Sequence, residues 1–185
     1  MDILAHGLWT AAAAKAVNKK AKKPLNVWTT TFWGIFPDLF AFGIPFLWMF
    51  YNLSTGSVSL ADLPHLGRDL EPVPFTNLAP LQLASSLYNI SHSLVVFSAV
   101  FGLLFIINRK PVWELLGWLL HILIDIPTHS YKFFPTPILW PISSYKFLYG
   151  FSWGQEWFQI INYSALVLVY LWLWQSKKKN RVRGF

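Results

Sequence analysis

The feature that most constrains this chain is an apolar stretch, residues 119–129, that carries three ionisable side chains at equal spacing. His121, Asp125 and His129 stand four residues apart, and such residues share one face of an α-helix. An Asp at the centre of a membrane helix costs about 2.5–3.5 kcal/mol on insertion scales, so it is seldom left without a partner. The stretch predicts a divalent-metal or proton-relay site, or, as the simpler alternative, a His–Asp hydrogen bond between helices. Pro127 predicts a bend or an end of the helix just after Asp125.

Composition places the chain among membrane proteins. It has 185 residues, enough for one domain, of which 55% are hydrophobic, 12% are charged and eleven are Trp. The chain has no Cys, so a metal must be held by His, Asp, Glu, water or backbone, which suits zinc or another divalent transition metal. The net charge of +7 could suggest nucleic acid. Because the basic residues flank apolar segments, as membrane topology signals do, we expect no nucleic-acid binding.

The hydropathy pattern predicts an all-α integral membrane bundle formed by a single domain, residues 1–185. Residues 1–17 are apolar but short, and predict a membrane-embedded helix that need not cross fully. Four longer apolar segments predict transmembrane helices: residues 27–51, 90–108, 112–127 and 157–174.

Prolines and polar residues interrupt these segments. Pro37 predicts a break in the first span, so that the freed backbone faces protein or a watered cavity. Asp38 is then also expected to cap the resumed helix, and the two interpretations are compatible. Residues 52–89 predict a polar extracytoplasmic loop with a short helix near residues 78–88, and residues 131–153 predict an irregular aromatic cap. Within the polar loop, Asp62 and His65 are predicted to belong to turns.

The basic residues predict the orientation of the bundle. Twelve of the fifteen lie in residues 15–26, residues 109–111 and the tail at residues 176–185, which are therefore expected in the cytoplasm. The other three are Arg68, Lys132 and Lys146. This orientation brings the metal-competent residues toward the extracytoplasmic face. They are His6, Asp38, His92, His121, Asp125 and His129.

Short motifs along nearly the whole chain resemble the YdjM-like family of bacterial membrane-bound metal-dependent hydrolases. The matching pieces are Met1-Asp-Ile-Leu-Ala-His6, Phe36-Pro-Asp38, Ile90-Ser-His-Ser93, His121-Ile-Leu-Ile-Asp125 and Pro137-Ile-Leu-Trp-Pro141. That family is grouped with zinc-dependent phospholipase C and single-strand nucleases, all-helical enzymes that cleave phosphoesters with clustered metals. The resemblance implies a protein of the bacterial inner membrane.

The resemblance also implies roles for particular residues. His6, Asp38, His92, His121 and Asp125 would be metal-site residues. Asp125 would be suited to bridge two metals, and Asp38 would be a ligand or the base that activates water. The late His and Glu of the phospholipase relatives have His129 and Glu156 as their only possible substitutes here, so one metal is better supported than several.

These observations favour a metal-dependent hydrolase, with Asp38 and Asp125 catalytic, acting on a lipid-like phosphoester at the outer membrane face. Lys132 and Lys146 are candidates to attract the anionic head group, although solvated loop lysines are the simpler interpretation. Two alternatives remain. An ion or metal transporter could use the same ligands as a transit site, although such sites usually lie at the midplane between repeats. A structural membrane protein could use them to hold its helices together.

Overall fold

The protein folds into α-helices joined by turns and irregular segments. A computed structural model describes residues 1–57, 79–130 and 134–182, and this part of the chain contains six α-helices and no β-strand. In chain order they are α1 (Ile3–Asn18), α2 (Val27–Ser54), α3 (Ala79–Ser91), α4 (Leu94–Asn108), α5 (Leu116–Thr128) and α6 (Glu156–Val182). Helix α2 packs against α1, α3 and α5, and α6 packs against α1.

The prediction of four transmembrane helices plus an N-terminal membrane helix is wrong. Within the described residues only α2 and α6 are long and apolar enough to cross a membrane, or three spans if the α3–α4 pair, bent by 56°, counts as one. Helices α1, α4 and α5 have 16, 15 and 13 residues. At about 1.5 Å per residue they extend roughly 20–24 Å, less than a hydrocarbon core about 30 Å thick.

Helices α4 and α5 are short because each begins later than the apolar sequence suggests. The Ser93 side chain accepts hydrogen bonds from the backbone N–H groups of Val95 and Val96, so α4 begins at Leu94 and not at residue 90. A 3₁₀ turn, Trp113–Leu115, precedes α5. The expected helix end near Pro127 is confirmed, since α5 stops at Thr128. The expected short helix before residue 90 corresponds to α3. Asp62 and His65 lie outside the described residues.

Helix α2 runs unbroken through Pro37, contrary to the predicted break. Pro37 has no N–H, so the carbonyl oxygen of Trp33, four residues earlier, loses its helical donor, yet the helix continues. Two neighbouring side chains donate to other carbonyl oxygens of these turns: the Ser91 hydroxyl to that of Pro37 (3.1 Å) and His121 Nδ1–H to that of Gly34 (2.7 Å). Asp38 therefore lies inside a continuous helix and caps nothing.

Glycines allow α1, α2 and α5 to approach closely. A Cβ atom on Gly117 would overlap the carbonyl oxygen of Thr30, and one on Gly34 would overlap the side chain of Thr10. Small residues permit such close approach of backbones in membrane bundles. The contact fixes the relative positions of the three helices that carry most of the buried ionisable groups.

The bundle is polar at its centre and apolar on its surface. His6, His92, His121 and Asp125 are fully buried, whereas Leu47 on α2 is 72% exposed. Two apolar clusters, around Trp118 and Leu166, pack beside this polar centre. Large exposed apolar surfaces mark sites of interaction with membranes or partners. Together with the length of α2 and α6, this surface makes membrane association possible.

The basic segments meet at one end of the bundle. Lys19 Nζ, just after α1, lies 3.6 Å from the ring centroid of Trp172 on α6. The backbone N–H of Asn26, just before α2, donates to Glu114 Oε1 at 3.2 Å. The basic end, as we call it, therefore comprises the end of α1, the start of α2, the α4–α5 turn and the C-terminal part of α6.

Candidate metal centre

Four side chains from three regions meet in the middle of the bundle. Asp38 lies on α2, His92 at the bend between α3 and α4, and His121 and Asp125 one turn apart on α5. All four are buried, and one potential ligand atom of each lies within 4.8 Å of those of the others. This four-residue group could hold a metal ion.

Hydrogen bonds to the outer ring nitrogens orient both imidazoles. His121 Nδ1 faces the carbonyl oxygen of Gly34, which can only accept, so this nitrogen carries the proton. The Ser91 hydroxyl donates to the carbonyl of Pro37, so its oxygen accepts from His92 Nδ1 at 2.9 Å. In its neutral form each imidazole then has a lone pair on Nε2, and the two Nε2 atoms lie 3.0 Å apart. Ligating histidines are oriented in this way, and the two nitrogen atoms can hold either a cation or a shared proton between them.

The two carboxylates complete the group at spacings that suit a tetrahedral metal. Asp125 Oδ2 lies 3.3 Å from His92 Nε2 and 3.2 Å from His121 Nε2, and Asp38 Oδ1 lies 3.6 Å from each. Ligand atoms around tetrahedral zinc, with bonds of about 2.0–2.2 Å, lie roughly 3.3–3.6 Å apart. Asp125 Oδ2 is buried and accepts no hydrogen bond from the described residues, which is costly for an anionic oxygen without a cation. The donor set therefore fits a divalent transition metal.

A second set of nitrogen atoms contacts the other oxygen of Asp125. Asp125 Oδ1 lies 2.9 Å from His6 Nε2, 3.4 Å from His129 Nε2 and 2.5 Å from the α-amino nitrogen of Met1. His129 Nδ1 donates to the carbonyl oxygen of Phe134 at 3.0 Å, so its Nε2 also points inward. Asp125 thus lies between two sets of nitrogen atoms, one on each carboxylate oxygen.

The histidines of this second set are neutral near pH 7. Burial and, to a smaller extent, the nearby His121 lower the pKa of His6 to about 3, against the opposing attraction of Asp125. The rings of His6 and His121 stack with centroids 3.6 Å apart. Burial also lowers the pKa of His129, again opposed by Asp125. A neutral imidazole is the form that binds metals.

The structure brings all six predicted metal-site residues together, four in one group and His6 and His129 on the far side of Asp125. Two other candidates, Glu156 and Lys146, do not join them. Glu156 is exposed at the start of α6. Lys146 is half-buried, with no hydrogen bond or ion pair to the group in the described part of the chain. Lys132 lies outside the described residues.

Sequence reasoning missed three residues that support the site. Gly34 and Ser91 fix the orientation of the two histidines, and the Tyr88 ring stacks on His92 at a centroid distance of 3.7 Å. Tyr88 stands four residues before His92, so helical spacing could have suggested it. Ser91 is the direct neighbour of His92, but Gly34 carries no such signal because only its backbone takes part.

Comparisons with protein-family models, with curated proteins and with solved structures find no match for this chain. The resemblance to the YdjM-like family therefore stays a hypothesis.

Proposed function

We propose that this protein is a membrane-bound metal-dependent hydrolase that cleaves a phosphoester, carried by a phospholipid-like or other lipid-borne substrate. The observation that carries the proposal is the convergence of two imidazole Nε2 atoms and two carboxylates, one ligand atom of each within 4.8 Å of the others, inside a buried centre. The motif resemblance supports phosphoester chemistry. The resemblance supports the bacterial inner membrane as the location, and the basic end supports an orientation with the C-terminus in the cytoplasm and the site toward the opposite face.

The roles of the residues follow from their positions. His92, His121 and Asp125 would hold the metal, with Asp38 as a fourth ligand or as the base. A divalent metal there lowers the pKa of bound water and stabilises charge on phosphoryl oxygens. Asp38 is the only carboxylate of the group with measurable exposure, 4%, and it lies 3.6 Å from the nearest nitrogen atoms.

Asp38 is therefore the residue placed to act on water. Its carboxylate would accept the proton as the water oxygen forms its bond to phosphorus. The ester oxygen then leaves as the bond to phosphorus breaks and takes up a proton to become an alcohol. Zinc is the metal that the His and Asp ligands suit best.

Complete burial of the group favours a second candidate, a structural metal that holds α2, α5 and the α3–α4 bend together. Structural zinc sites are closed by four protein ligands, whereas catalytic sites keep a position for water. The hydrolase and the structural metal site predict different effects of Asp38→Asn. In the hydrolase, Asp38→Asn abolishes turnover while metal is retained at His92, His121 and Asp125. In the structural site no turnover exists to lose.

The test is metal analysis and hydrolysis on one purified preparation in detergent. We expect stoichiometric divalent metal, together with hydrolysis of bis(p-nitrophenyl) phosphate or of phospholipid in mixed micelles. Both should be lost in His121→Ala and kept in Asp2→Asn, where the substituted residue caps α1 through the backbone N–H of Ala5. Metal without hydrolysis of any phosphomonoester, phosphodiester or phospholipid would reject the hydrolase in favour of the structural site.

A further inference from the structure

A groove at the basic end lies apart from the metal centre. It has a volume of about 510 Å³ and opens between α1, α2 and α5, with Ala13, Val17, Leu120 and Leu123 among its lining residues. Small-molecule sites are mostly apolar clefts of roughly 300–1,000 Å³. The groove is therefore large enough for an apolar ligand.

The groove is separated from the metal centre by the glycine contact. Thr10 and Gly117 line its inner end, and each stands one helical turn from a metal-site histidine, His6 or His121. Because the Gly117 backbone packs directly against Thr30 and Thr10, the groove ends there. A ligand in it would not touch the metal-site residues.

Charge at the mouth of the groove indicates the chemistry of the ligand. Lys23 lines the groove and is exposed, and Trp113 stands beside it at the α4–α5 turn. Lys110 precedes Trp113 by three residues, and Lys19 belongs to the same end of the bundle. Basic pockets between membrane helices on the cytoplasmic side bind anionic lipid head groups.

We propose that this groove binds one acyl chain of an anionic phospholipid, with Lys23 at the phosphate and the chain lying along Ala13, Val17 and Leu120. Binding does not depend on the hydrolase activity. The lipid would contact both α1 and α5 at the basic end and so stabilise their packing away from the metal centre.

The test uses purified protein in detergent, titrated with phosphatidylglycerol or with phosphatidylcholine of the same acyl chains, with bound lipid read by native mass spectrometry. Phosphatidylglycerol should bind more tightly. Lys23→Gln should weaken it about fivefold, the effect of one basic residue near an anionic group, and should leave phosphatidylcholine unchanged. Ala13→Trp should fill the groove and reduce both lipids. Lys177→Gln, the same charge change on α6, is the matched control.

Equal effects of Lys23→Gln and Lys177→Gln would show diffuse attraction and overturn the proposal. A photoactivatable phosphatidylglycerol, with the photoreactive group on its acyl chain, tests the wild-type protein without a folding change. Labelling of Val17, Leu120 or Leu123 is the expected result. Labelling confined to the outer face of α6 would mean that the groove holds no lipid.

Discussion

The sharpest test of the metal centre is Asp125→Asn, which turns the carboxylate into a neutral amide of nearly the same shape and so removes one charge. Asp125 is fully buried, and its two oxygens face His92 and His121 on one side and His6 and His129 on the other. An amide cannot supply the anionic oxygen that a divalent cation needs. We expect the variant to fold and to lose its metal.

The size of the effect follows from linkage between metal binding and folding. A metal present at 100 times its Kd stabilises the folded state by about 2.7 kcal/mol. For a chain of 185 residues, each kcal/mol shifts the Tm by about 2–4 °C. Chelation should therefore lower the Tm of the wild-type protein by roughly 5–11 °C and should leave the Tm of Asp125→Asn unchanged. The assay is thermal unfolding with and without chelator, with bound metal measured on the same samples.

The control is Asp2→Asn, which makes the same chemical change at the N-cap of α1. Asp2 accepts hydrogen bonds from Ala5 N–H and the Tyr163 hydroxyl, and Asn caps helices about as well. This control should keep its metal and its response to chelator. If Asp125→Asn instead keeps full metal and loses stability, Asp125 serves only to hold helices together, and the metal hypothesis is refuted.

Three other predictions concern packing, topology and the polar loop. Gly117→Ala should destabilise the protein by about 1–3 kcal/mol in thermal unfolding, because the new Cβ would overlap the carbonyl oxygen of Thr30. Gly102→Ala is the control: it has open space around it and should stabilise its helix by about 0.5–1 kcal/mol in the same assay. Reporter fusions after Arg183 and within residues 60–70 should read opposite compartments, since α6 ends at the basic end and α2 leads away from it; one shared compartment would refute the orientation. His65→Ala should leave the metal content unchanged, and a loss as large as that in His121→Ala would place the site elsewhere.

The residues of the candidate site could be predicted because their proximity depends mainly on helical spacing and on which helices pack together. His121 and Asp125 are neighbours in any helix that contains both. His92 and Asp38 join them through the packing of α2, α3 and α5, which a topology argument anticipates only in outline. The hydrogen bond from His121 to Gly34 could not be predicted, since it depends on how closely the backbones of α2 and α5 approach each other.

The number of spans was predicted wrongly because hydropathy counts apolar residues whether or not they are helical. Residues 90–93 and 112–115 were counted with the apolar segments that follow them, yet the first holds the cap and bend before α4 and the second a 3₁₀ turn. For α2 the prediction was wrong in the opposite sense, because the helix does not break at Pro37. A proline is tolerated in a membrane helix where neighbouring helices pack around it, and α2 packs against α1, α3 and α5, which only the tertiary structure shows.

The ligand atoms of the four-residue group limit which ion it can hold. Two imidazole nitrogens and two carboxylates converge there, and the α-amino group of Met1 pairs with the other oxygen of Asp125. Nitrogen ligands disfavour Mg²⁺ and Ca²⁺, which prefer oxygen. Zinc binds both imidazole nitrogen and carboxylate oxygen, so we expect zinc to restore the Tm of chelator-treated protein and Mg²⁺ at equal concentration to fail.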